Sequence, residues 1–162
     1  IVKYLKISLG IFFALAASRF IPHPPNFTNL IALSFYVPAF LGTRYIPAVL
    51  LAFMITDVFI GFHNTMFYTS LSVLFIGFVS KYFCQNIKFR AAGLFLSAIM
   101  FFIITNFGVW LTGSYGFTPE GLILCYTMAI PFFFATFLST FLYGFLIESI
   151  FKLAVKYQII KI

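Results

Sequence analysis

Residues 91–110 read AAGLFLSAIMFFIITNFGVW, a run with no charged side chain from Ala91 to Trp110. As a helix rising 1.5 Å per residue, such a run covers about 30 Å, the thickness of the hydrocarbon core of a bilayer. Working outward from it, the rest of the chain has the same character. Of 162 residues, 63% are hydrophobic and 8% charged, which leaves too little polar surface to cover a globule in water. The 26 phenylalanines suit lipid-facing positions, where any large apolar side chain is accepted. Hydrophobic runs broken by Pro, Gly and charge predict helices over 4–21, 28–42, 45–62, 66–84, 90–112 and 120–150. The expected fold is therefore all-α: a polytopic membrane protein of about six transmembrane helices, forming one domain over residues 1–162.

The boundary between the second and third helices rests on Gly42, Thr43, Arg44 and Pro47, and Pro38 is placed to bend the second. The last run exceeds the ~20 residues that a bilayer requires. It is expected to tilt, to kink at Pro131, or to enter the cytoplasm near Glu148. The first apolar stretch, Leu5 to Ile21, lacks a small-residue cleavage site and reads as a membrane helix, not a removable leader.

The net charge of +7 invites a nucleic-acid reading, but the placement of the cations argues against one. Counted on alternate sides of the predicted helices, Lys3, Lys6, Arg44, Lys81, Lys88, Arg90, Lys152, Lys156 and Lys161 fall on one side and Arg19 alone on the other. Lys and Arg stay cytoplasmic in short-looped membrane proteins, so both termini are expected on the cytoplasmic side. Cys84 and Cys125 are expected at opposite faces, too far apart for a disulfide.

Polar groups inside a span cost several kcal/mol unless paired or hydrated, so their depth is informative. From helix rise alone, Arg19 lies about 20 Å, Asp57 about 18 Å and Asn106 about 24 Å from the inner ends of their helices, all in the outer half. His23, Asn26, His63, Asn64, Trp110, Tyr115 and Glu120 join them on the outer connections. A hydrated outward pocket or mutual pairing would tolerate such a cluster.

Arg19 and Asp57 form the natural ion pair, either as a clamp between helices or as ligand contacts. His63 has a ligating imidazole but no second metal ligand at a recognised spacing, so neither a metal nor a cofactor is expected. Asn106, Trp110 and Tyr115 read either as a binding wall or, for the two aromatics, as an interfacial belt. Gly10, Ala14 and Ser18, a small residue every fourth position, form a close-packing or partner-docking face. The residues contain no grouping expected of a catalytic site.

The segment from Arg19 through Ile21-Pro22-His23-Pro24-Pro25-Asn26-Phe27 to Thr28 resembles a bacterial membrane family of unassigned function. Thr105-Asn106-Phe107-Gly108-Val109-Trp110, Gly121-Leu122, Cys125-Tyr126 and Ala129-Ile130-Pro131-Phe132-Phe133 resemble it too. That family is similar to the substrate-binding S components of energy-coupling factor transporters. The resemblance implies a six-helix bundle whose outward pocket is capped by the loops after helices one, three and five. It also implies a small-residue face on helix one that docks to a transmembrane coupling subunit driven by ATPases. S components take up vitamins or metal ions; a solitary cobalamin transporter in the same broad group makes cobalamin a candidate, with His63 as cobalt ligand. The middle of the last helix, from Phe134 to Phe141, is less polar than the family's, which speaks against ligand contacts there.

The leading expectation is thus a membrane-embedded binder of a small micronutrient, not an enzyme, with Arg19, Asn26, Asp57, His63, Asn106, Trp110 and Tyr115 lining the pocket. A structural or accessory subunit of a larger membrane complex is the second expectation. A proton-coupled carrier built on Asp57 is the third.

Overall fold

A computed structural model describes residues 2–157. It contains six α-helices: α1 Val2–Phe20, α2 Leu30–Leu41, α3 Ile46–Ile60, α4 Met66–Ser80, α5 Ile87–Trp110 and α6 Pro119–Lys156. Short 3-10 turns at Thr43–Tyr45 and Lys81–Phe83 lead into α3 and out of α4. All six expected helices are present. Of the cations counted above, Lys161 lies outside the described residues.

Local chemistry sets the ends. Asn86 starts α5 three residues earlier than hydropathy alone predicts, its side chain accepting from the amides of Lys88 (3.0 Å) and Phe89 (3.1 Å). Thr118 caps α6 by accepting from the Gly121 amide at 3.1 Å, followed by Pro119 and Glu120, which suit a first turn. Gly42, at φ +95, ends α2 in a conformation that other residues rarely adopt.

Four segments are long and apolar enough to cross a membrane: Thr43–Ile60, Met66–Phe83, Ile87–Trp110 and Pro119–Lys156. Helix α1 has 19 residues but carries Lys3, Lys6 and Arg19. Helix α2 has 12 residues, about 18 Å, well short of a ~30 Å core. Rather than spanning alone, α2 is a central post. Leu30 through Pro38 are all buried, as expected of a helix that is apolar on every side. Around it pack α1 and α3 on one flank, α4 and α5 on another, and α6 on a third. Close approach to α5 depends on Gly93, where a Cβ would stand 2.6 Å from the Phe35 ring and 2.7 Å from Phe83.

Helix α6 runs through Pro131 without interruption for 38 residues, about 57 Å. Entry into the cytoplasm near Glu148 is one of three outcomes expected for this run; the structure buries the Glu148 side chain inside the bundle. Only 6% exposed, it pairs with Arg90: Nη2 donates to Oε2 at 3.0 Å, and Nε donates to Oε1. Arg90 also donates to the Cys84 carbonyl at 3.1 Å and lies 5.2 Å from the centre of the Phe40 ring. The end of the bundle that carries the termini thus holds a buried ion pair of its own. Cys84 and Cys125 are both free.

Candidate functional site

The post starts low. Asn29 is tied to α1 within about two turns of its end: Ser18 Oγ donates to Asn29 Oδ1 at 2.6 Å, and Asn29 Nδ2 donates to the Ala14 carbonyl at 2.9 Å. With the first turn of α2 sunk to this level, its neighbours rise above it and leave a vestibule at the end opposite the termini. It has two adjoining chambers, of about 380 Å³ and about 260 Å³. Asn26, His63, Thr69, Phe101 and Thr136 belong to the walls of both.

The smaller chamber has Arg19 and His23 at one side and Leu30 and Ile31, the first turn of α2, in its floor. Asn26 hangs over it from the loop 21–29 in a left-handed conformation, φ +61, which asparagine tolerates better than most residues. His23 is a strut of that loop, its Nδ1 2.7 Å from the Pro24 carbonyl oxygen and its Nε2 3.3 Å from that of Arg19. The larger chamber is walled by α5 and α6, through Asn106 and Thr105 on one side and Cys125, Ala129, Phe132 and Phe133 on the other, with Tyr115 from the loop above.

Five of the seven expected pocket residues, Arg19, Asn26, His63, Asn106 and Tyr115, are thus brought together. Two are elsewhere. Asp57 is fully buried behind Arg19, whose Nη2 donates to Oδ1. Arg19 Nη1 donates to Thr56 Oγ1 at 2.7 Å and to the Phe53 carbonyl at 3.2 Å, and the guanidinium stacks 4.7 Å from the Phe53 ring centre. Asp57 Oδ2 has no hydrogen-bond partner; His63 Nδ1 stands 3.6 Å away. Trp110 walls neither chamber. Its Nε1 donates to the Gly116 carbonyl at 2.9 Å, and its ring meets Phe107 and Phe117, so it pins the 111–118 loop that carries Tyr115.

Wall residues also come from places the polar-cost criterion passes over. Thr65 and Thr69, four apart on one helix face, and Thr105, Thr136 and Ser139 all face the vestibule. Thr105 and Thr136 donate to carbonyls four residues back, at 2.7 and 3.0 Å, which makes them cheap in a membrane and hides them from a search for costly groups. Helix α6, expected to contribute little, supplies a whole wall. None of Asp57, Glu120 and Glu148 is among the wall residues, and among the described residues no group of three His, Cys, Asp or Glu side chains could hold a metal ion.

The loop over the larger chamber leans on one close contact. A Cβ on Gly121 would collide with the carbonyl oxygens of Tyr115 and Gly116, neither of which can move without moving the loop. Gly121→Ala is expected to cost about 1–3 kcal/mol and to lift the loop off α6. Trp110, the single tryptophan, reports it directly: its emission should shift to the red and lose protection from an aqueous quencher. Unchanged emission with full stability would mean that the loop does not rest on Gly121.

On the docking face, Ser18 is buried against Asn29, whereas Gly10 and Ala14 are exposed and nothing lies within 4 Å of a Cβ built on Gly10. The three residues therefore do not act as one ladder: the upper member packs inside the protein and the lower two face outward.

An all-helical bundle with four membrane-length apolar segments and a polar vestibule above a short central helix defines an integral membrane protein with a recess at one end. The chain belongs to a family of unknown function, DUF6580, whose model matches residues 2–161. No curated protein and no solved structure matches it.

Proposed function

We propose that this protein is a membrane-embedded binding protein for uptake of a small organic micronutrient, taken from outside the cell into the vestibule. The observation that carries the proposal is the recess above α2, where Arg19, Asn26, His63, Asn106 and Tyr115 converge with a lining of Phe101, Phe132 and Phe133. A few directional polar groups on an aromatic background are the usual make-up of a small-molecule site, and the larger chamber falls in the usual range of volume. The resemblance to S components supports the same reading. The excess of Lys and Arg at the terminal end supports the orientation, with both termini cytoplasmic in a bacterial inner membrane and the vestibule outward, and α1 and the buried α2 complete a bundle of six helices.

The chemistry of the walls narrows the ligand. With no carboxylate in either wall, the recess offers no anionic oxygen to offset the charge of a bare divalent cation. Arg19 and His63 favour a neutral or anionic compound that offers acceptors. A corrinoid is far larger than a drug-sized ligand and does not fit chambers of this size, so a compact heteroaromatic vitamin is the better candidate. The exposed Gly10 and Ala14 of α1 would meet a transmembrane coupling subunit.

Thermal unfolding of the purified chain against a panel of vitamins, corrinoids and divalent cations tests this. One compact heteroaromatic compound should stabilise the protein by about 2.7 kcal/mol at a hundred times its Kd. Asn106→Leu, which removes an amide from the larger chamber, should weaken that binding roughly tenfold, the loss expected for one hydrogen bond. Stabilisation by no member of the panel, with the vestibule intact, would sink the uptake reading.

A further inference from the structure

The opposite end of the bundle carries a pattern of its own. Four of the nine tyrosines directly follow a cation: Lys3-Tyr4, Arg44-Tyr45, Lys81-Tyr82 and Lys156-Tyr157. These dipeptides stand at the start of α1, in the turn before α3, in the turn after α4 and at the end of α6, all elements that meet at the terminal end. Three of the cations lie over the ring of their own tyrosine, Arg44 at 5.2 Å, Lys81 at 4.8 Å and Lys156 at 5.8 Å from the ring centre. Tyr4 bridges two of the elements, stacking on Tyr45 at 4.8 Å and donating to the Arg44 carbonyl at 3.2 Å. Tyr82 and Tyr157 are about two-thirds exposed.

All the cations in these pairs are exposed, and so are Lys6, Lys88 and Lys152 beside them. Among the described residues none of them meets a carboxylate. Of the chain's three acids, Glu148 is held by Arg90, Asp57 by Arg19, and Glu120 begins α6 at the other end. The cations are spread over the ends of different helices, not gathered along one groove, and each has large exposed apolar side chains close by, such as Leu5, Phe78 and Leu153. An uncompensated basic ring with phenol rings at the edge of an apolar belt matches the headgroup layer of a membrane, where tyrosine sits at the interface and Lys and Arg reach phosphate.

We propose that this ring binds anionic phospholipid headgroups in the leaflet on the terminal side, with the Lys/Arg–Tyr pairs gripping the phosphate layer and fixing the depth of the bundle. The partner is lipid and not a polyanionic protein or nucleic acid, because the charges stand at the ends of separate helices, each where an apolar run stops, and not along one groove.

The full chain, reconstituted in nanodiscs of equimolar phosphatidylglycerol and phosphatidylcholine and re-extracted, tests this by the lipid it retains. Phosphatidylglycerol should be enriched roughly fivefold or more over phosphatidylcholine. The enrichment should collapse at ~1 M salt, where screening shortens to about 3 Å. The combined variant Lys3→Gln, Arg44→Gln, Lys81→Gln, Lys152→Gln, Lys156→Gln should lose it, and the matching Lys→Arg set should keep it. No enrichment by the native chain, enrichment indifferent to salt, or full enrichment in the glutamine variant overturns the proposal. Complete displacement of the retained lipid by inorganic phosphate or by polyglutamate also overturns it, in favour of a free anion or an acidic protein. The native chain's salt response decides the matter even if the glutamine variant fails to fold.

Discussion

Arg19→Ala is expected to destabilise the protein by about 3 kcal/mol or more, the cost of leaving a buried charge without its partner. The size follows from the asymmetry of the pair. Asp57 is wholly buried, with Oδ2 already lacking a hydrogen bond and Oδ1 held by Arg19. Removing the guanidinium strands both oxygens, with only His63 at 3.6 Å to approach them. Removing the carboxylate costs less. In Asp57→Asn, Arg19 keeps Thr56 and the Phe53 carbonyl, and its side chain, 13% exposed, opens on the vestibule and its water. Unfolding by SDS in mixed micelles should therefore rank Arg19→Ala well below Asp57→Asn, with the double variant Arg19→Ala, Asp57→Ala recovering part of the loss. Equal losses in the two single variants would contradict the asymmetry. Loss of ligand binding in Asp57→Asn with near-native stability would instead make the pair a ligand contact as well as a clamp.

Glu148→Ala should cost a similar ~3 kcal/mol, and its damage should be confined to the other end of the bundle. Arg90 would keep only the Cys84 carbonyl and the face of Phe40. Three things then loosen together: α5 at its first turn, the end of α2 through Phe40, and α6 through the stacked Phe40–Phe151 pair, whose centres are 4.3 Å apart. Hydrogen exchange distinguishes the two variants. Glu148→Ala should speed exchange around 84–90 and 144–154 and leave the vestibule helices protected, whereas Arg19→Ala should do the reverse. Faster exchange at Ser18 and Thr56 in Glu148→Ala would show that the two ion pairs are not independent staples.

The helices were legible because the apolar runs are broken by Pro, Gly and charge, as at Gly42 and Arg44, although the expected third helix ran on past Gly61, which ends α3, and the Thr118 cap of α6 was not read. What hydropathy does not encode is depth. An apolar segment reads as a span whether it crosses lipid or sits inside protein, so α2 gave no sign of being a short post until its burial was seen. Cost in lipid identified Arg19, Asn106 and His63 as neighbours, because charges and amides must be answered somewhere. It did not find Thr69, Thr136 or Ser139, whose hydroxyls answer themselves within their own helices. The burial of Glu148 does not follow from the length of the last run, which says only that the helix is longer than a bilayer requires. The clue was present in its neighbours, Phe145-Leu146-Ile147 before it and Ile150-Phe151 after, which mark an acid set inside an apolar stretch. Its partner, 58 positions away, follows from no local pattern.

Helix α6 is a single unbroken rod, and its length has a mechanical meaning. Cys125, Ala129 and Thr136 near one end touch the vestibule, Glu148 is bolted to Arg90, and Lys152 and Lys156 stand at the other end. With a fulcrum at the Arg90 bolt, roughly 12 residues or about 18 Å from Thr136, an outward push of about 2 Å at the wall becomes a tilt of about 6°. If the helix keeps its shape, the same tilt reaches its last two turns, so filling of the recess would be felt at the charged tip as part of one displacement.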